Sequence, residues 1–211
     1  MIPLLEPIAT FTVAATILTV TPGLDMALVL RTAASEGPAR AMLAGIGVVA
    51  GLFGWGLIAA VGLGALLAAS ELAYHILRWV GAAYLSYLGV RLLLAPRHGV
   101  PLAEATPKAA GSGRRWLARG FLTNILNPKV GVFYVSFVPQ FIPAGANVPG
   151  MTVLLTAIHA GLSVIWFALL ILATRPIGRL LRQGAVVAWL DRVTGVIFIV
   201  FAARLALSAQ R

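Results

Sequence analysis

Six stretches of this chain are long and apolar enough to cross a lipid bilayer, and they leave little sequence for anything else. They run over about 7–30, 41–68, 73–94, 117–141, 150–173 and 185–208. A membrane helix needs roughly 20 mainly apolar residues, because the hydrocarbon layer is about 30 Å thick and each helical residue advances about 1.5 Å. The charge content agrees. Only 10% of the 211 residues are charged and 60% are hydrophobic, against roughly 25% charged in a soluble domain. A water-soluble fold of this size has too few charges here to cover its surface. The expected fold is an all-α integral membrane protein, one transmembrane domain over 1–211, with the lipid bilayer as its first partner.

Several function classes fall away at once. The chain has no cysteine, so disulfides, thiol chemistry and thiolate metal sites are excluded. His75, His98 and His159 are far apart, and no pair has the spacing of a local metal motif. No metal and no cofactor are expected. The net charge of +10 does not point to nucleic acid, because the basic residues sit mainly between the apolar runs. A cleaved signal peptide is not expected either, since Glu6 is the only charge before a first run that is too long for one.

The loops set a direction. Arg31 and Arg40, then Arg91, Arg97, Lys108, Arg114, Arg115 and Arg119, then Arg175, Arg179 and Arg182 place eleven basic residues on one side. Arg78, Arg204 and Arg211 place three on the other. The richer side is expected to be cytoplasmic, so both termini face outward. Trp79, Trp116 and Trp189 fall near span ends, as an aromatic belt does. The stretch 96–116, with three prolines, three glycines and several charges, reads as a cytoplasmic linker between two halves.

Those halves, 1–95 and 117–211, resemble each other. Thr21-Pro22-Gly23 returns as Asn127-Pro128-Lys129, 106 residues later. Trp55 returns as Trp166, and Leu88-Gly89-Val90-Arg91-Leu92 as Phe201-Ala202-Ala203-Arg204-Leu205. Each half has three spans, an odd number, so the second copy is expected to be inverted relative to the first. Secondary transporters are often built this way. Glycines crowd the second span at 45, 47, 51, 54 and 56. Small residues let membrane helices approach closely, and a homodimer is one use for such a face.

The prolines in spans one and four matter most. Proline removes a backbone hydrogen bond and clashes with the preceding turn, so both spans are expected to be broken. Backbone groups freed inside lipid must find a partner in protein or water. A charge stands beside each break, Asp25 after Pro22 and Lys129 after Pro128. A charge near the bilayer centre costs about 2.5–3.5 kcal/mol on insertion scales. Such a pair is either a structural ion pair or a site for a zwitterion, with Asp25 for an ammonium and Lys129 for a carboxylate. Backbone N–H groups after the breaks add to the carboxylate site. Thr21, Gly23, Asn124, Asn127 and Gln140 complete the candidate binding set with Pro22 and Pro128. Asp25 and His159 are the candidates for coupling to protons, His159 also reading as a packing residue. Asp191-Arg192 is expected to be an interfacial ion pair.

Together these segments carry a family resemblance. Thr21-Pro22-Gly23-Leu24-Asp25 followed by Arg31 resembles the opening signature of the lysine exporter and homoserine/threonine exporter family (LysE/RhtB). Gly120-Phe121-Leu122-Thr123-Asn124-Ile125-Leu126-Asn127-Pro128-Lys129, continued by Phe133 and Pro139-Gln140-Phe141, resembles its second signature. Val80-Gly81-Ala82-Ala83-Tyr84-Leu85-Ser86-Tyr87-Leu88-Gly89 resembles its third-helix pattern. The resemblance runs over essentially the whole chain. It implies a bacterial inner-membrane exporter of amino acids or similar small zwitterions, driven by proton antiport. Leu24 departs from the pattern, since the family often has a second proline there. The alternatives are an inorganic-ion exporter of the same superfamily, a membrane enzyme and a passive channel. Against an enzyme, the chain has no paired carboxylates, HExxH, GxSxG or nucleotide loop.

Overall fold

The computed structural model describes residues 4–69, 71–96, 112–143, 145–174 and 183–207. Every regular element among them is helical. Helix α1 spans Leu5–Val20, α2 Leu24–Glu36, α3 Pro38–Ala69 and α4 Glu71–Leu94. The second half has α5 at Gly113–Ile125 and α6 at Pro128–Val132. The chain then widens into a π-helical turn over Phe133–Phe137 and tightens into a 3-10 turn over Val138–Phe141. Helices α7, Val148–Leu172, and α8, Gly184–Leu207, follow.

Both expected breaks are present. Helices α1 and α2 meet at 51°, and α5 meets the segment Pro128–Phe141 at 53°. The cause is the same at both places. The residue before each proline is pushed out of the helical region: Thr21 has ψ 124° and Asn127 ψ 109°. At the end of α2, Gly37 adopts φ 92°, a left-handed conformation open mainly to glycine, and Pro38 starts α3 directly after it.

By length and composition, three helices can each cross a membrane: Pro38–Gly62, Val148–Leu172 and Gly184–Ala203. The two bent pairs make five candidates. The expected third span corresponds to α4, whose apolar part, Trp79–Leu94, is shorter. Most of the linker, 97–111, and the basic residues Arg175, Arg179, Arg182 and Arg211 lie outside the described residues.

Helix α3 packs against α2, α5 and α7, while α4 lies along α8 and α1 along α7. Lipid gives little hydrophobic drive for helices to associate, so close backbone approach does the work. A Cβ added at Gly47 would overlap the Leu117 carbonyl, and one at Gly120 the Ala44 carbonyl. Gly45 faces Phe167, Gly51 Asn124, Gly54 Ile125 and Gly56 Thr156. These five glycines of α3 are therefore used inside one chain, which removes them as an argument for a homodimer, while Gly62 meets nothing within 4 Å.

Two details differ from expectation. Trp79 and Trp189 are exposed, as an aromatic belt requires, but Trp116 is buried, with the Arg119 guanidinium 4.8 Å from its ring. It packs where α5 meets the bundle instead of facing lipid. Asp191 is fully buried while Arg192 is exposed. Asp191 therefore sits inside the bundle and not at its rim, on a different face of α8 from Arg192.

Candidate substrate site at two helix breaks

The two breaks come together in the middle of the bundle and are stitched to each other. At the first, Ile17 O accepts from Thr21 N at 3.0 Å and from Thr21 Oγ1 at 2.6 Å. The next carbonyls reach across to the other half. Lys129 Nζ donates to Leu18 O at 3.1 Å and to Thr21 O at 3.5 Å. At the second break, Asn124 O accepts from Asn127 N at 2.9 Å and from the Trp55 indole at 3.3 Å. Each break is thus satisfied from the opposite half, as backbone buried in a membrane must be. The ring of Trp55 lies against Gly131, where a Cβ would come within 2.7 Å of it.

Asn127 joins the two charges. Its Oδ1 caps α6 by accepting from Lys129 N at 3.1 Å, and its Nδ2 donates to Asp25 Oδ2 at 3.4 Å. Asn124 Nδ2 donates to the same Asp25 oxygen at 2.9 Å. The other oxygen, Asp25 Oδ1, is buried and has no hydrogen-bond partner. A buried carboxylate oxygen in that state carries a substantial desolvation cost and calls for a donor.

These groups line one cavity, with about 430 Å³ of space between atoms, part of it open. Thr21, Gly23, Asp25, Asn124, Asn127, Lys129 and His159 line it, so seven of the expected residues share one space. Pro22 and Pro128 shape it through the backbone without lining it. Gln140 does not join: it lies on the 3-10 turn, and its amide donates to Ser136 O at 3.1 Å. His159 is buried, with Nδ1 3.3 Å from the Tyr134 hydroxyl. Met26, Val48, Leu52, Val130 and Phe167 give the cavity an apolar wall. Among the described residues, no three of His, Asp or Glu are grouped to hold a metal ion.

Sequence reasoning missed two contributors, Thr194 and Ser163, and the role of a third, Trp55. Thr194 on α8 meets Thr21, Oγ1 to Oγ1, at 2.7 Å, tying the last helix to the first break. Trp55 reads with Trp166 as flanking the path or packing, not as a donor to a break, and the two behave differently: the Trp166 indole N–H is buried without a partner. Ser163 lines the cavity, one turn after His159. A lone hydroxyl in an apolar helix gives no sequence signal until its neighbour is known.

Known proteins place the chain further. It is 30% identical over 201 residues to the uncharacterized membrane protein YrhP of Bacillus subtilis, covering 92% of this chain and 95% of that protein. It is 32% identical over 202 residues to a leucine efflux protein of Klebsiella pneumoniae, covering 93% of each. A leucine efflux protein of an Enterobacter species is 31% identical over 201 residues, again 93% of each. No solved structure matches. Such relatives are bacterial membrane proteins and transporters, not enzymes. Residues 16–209 match the LysE type translocator model, and the chain belongs to the LysE type translocator family.

Proposed function

We propose that this protein exports an amino acid with an aliphatic side chain across the bacterial inner membrane, in exchange for protons. The observation that carries the reading is the unpartnered Asp25 Oδ1, buried in a cavity that also holds the Lys129 ammonium. Asn124 and Asn127 fix the other oxygen of Asp25 and aim the carboxylate. A substrate ammonium supplies the missing donor. The substrate carboxylate meets Lys129 and the first backbone N–H groups of α2, whose N-cap, Gly23, offers no side-chain cap of its own. The apolar wall takes the side chain, which agrees with the leucine efflux proteins among the relatives.

Transport against a gradient needs a second, downhill flow. A proton on Asp25 occupies the place of the departing ammonium and resets the carrier. His159 lines the same cavity and, with Tyr134, offers a relay for that proton. Six spans as two inverted repeats, with both termini outside, fit this mechanism. In support, both breaks bend by similar angles, and the contact of α3 with α5 has its counterpart in that of α7 with α1.

Counterflow in liposomes tests the reading. Protein loaded with unlabelled leucine is expected to draw in labelled leucine, and valine or isoleucine to compete, while arginine and glutamate do not. Absence of exchange for every amino acid tried contradicts it.

A further inference from the structure

Beyond the single α-helical turn of α6, span four does not continue as a regular α-helix. The π-helical turn Phe133–Phe137 follows α6 at once. Such turns are rare and occur often at functional positions. This one gathers rings. Phe133 and Phe137 lie 5.0 Å apart by centroid, Phe137 and Phe201 4.3 Å, and Phe11 and Phe133 5.9 Å. On its other side Phe133 meets the His159 ring edge-on at 5.5 Å.

Phe133 therefore stands between two spaces. His159 lines the cavity just described. Phe133 itself lines a second, narrow space, together with Ile17, Leu85, Phe137, Ile197 and Phe198. Every residue lining it is apolar. The two cavities lie in series along the broken spans. The first cavity straddles both breaks, from Leu18 and Val130 to Met26 and Phe167, whereas the second adds Ile17, before the first break, and Phe133 and Phe137, after the second. On the topology set by the basic residues, the second cavity is on the outer side.

We infer that this second cavity is the outer half of the transport path, that it receives the aliphatic side chain of the departing amino acid, and that Phe133 is the gate between the two halves. The inference rests on the transport reading above. A chamber without polar lining offers nothing to an ion or a lipid headgroup; the aromatic rings close it here, and it takes a branched aliphatic chain once the Phe133 ring turns aside. With that chain seated beyond Phe133, the charged end of the amino acid stays beside His159 and Lys129. It leaves only when the chamber opens to outer water. The ring of Phe133 holds the outer side shut while Asp25 exchanges its partners.

Wild-type counterflow of leucine is measured first, and its absence would sink the transport reading, not the gate. Given that activity, Phe133→Ala is expected to raise downhill leucine flux by about an order of magnitude and to end proton-driven accumulation, since a tenfold rate needs only about 1.4 kcal/mol off the barrier. Phe133→Leu, which fills more of the space, guards against a folding defect and is expected to leak less. A second measurement leaves Phe133 intact. Ile197→Cys is the only cysteine in its chain, and export is compared before and after an impermeant thiol reagent is added outside intact cells. Labelling is expected to block export, while Gly111→Cys in the linker stays unlabelled and so checks the orientation. Wild-type flux and coupling in both folded Phe133 variants, or full export by labelled Ile197→Cys, overturns the proposal and makes the cavity a lipid crevice.

Discussion

Asp25→Asn is expected to insert and fold like the wild type and to lose proton-driven export by about 100-fold, the scale of roughly 3 kcal/mol of lost charge pairing. The amide keeps the shape of the carboxylate but provides neither the charge for an ammonium nor the titration for a proton. Export by the variant in cells, with membrane abundance measured alongside, reads the effect. A structural role makes a different forecast. If Asp25 served only to neutralise Lys129, the double change Asp25→Asn with Lys129→Met would remove the buried pair together and restore transport. On the present account the double variant stays inactive, because both ends of the zwitterion have lost their partners. Asn124 and Asn127 sharpen the contrast, since both donate to Asp25 Oδ2 and would face an amide that competes for the same role.

Gly120→Leu is expected to have the largest effect on stability. The Ala44 carbonyl stands where its Cβ would go, so α5 and α3 must separate. Overpacking of a side chain commonly costs about 1–3 kcal/mol, and here the obstacle is backbone, which yields less than a flexible side chain. Because α5 carries Asn124, export is lost along with the melting temperature. Gly161→Leu is the control. Nothing lies within 4 Å of a Cβ at that position, so its melting temperature in detergent should match the wild type. Equal melting of all three proteins contradicts the role given to the contact between α3 and α5.

The parts of this architecture that were legible in the sequence are those where a residue type conflicts with its surroundings. A proline within an apolar run has to break a membrane helix, and both breaks occur at Pro22 and Pro128. A charge in such a run has to face other protein or water, and Asp25 and Lys129 line one cavity. What was not legible depends on which faces meet. Gln140 shares a span with Lys129, yet it lies about three helical turns further along and bonds to Ser136 instead. Trp116 sits at a span end like a belt residue, but α5 turns it inward. Thr194 and Trp55 hold the breaks through partners more than sixty positions away, and no local pattern records that. Gly51 looked like part of a helix-contact face, and its neighbour turned out to be Asn124 of the site itself.

The central claim is that a zwitterion is held at both ends, its ammonium by Asp25 and its carboxylate by Lys129. It is tested most directly by competition against leucine counterflow with two analogues, N-acetyl-leucine, which lacks the ammonium, and leucinamide, which lacks the carboxylate. Neither is expected to compete at concentrations where unlabelled leucine competes fully, whereas competition by either analogue equal to that of leucine itself would contradict the account.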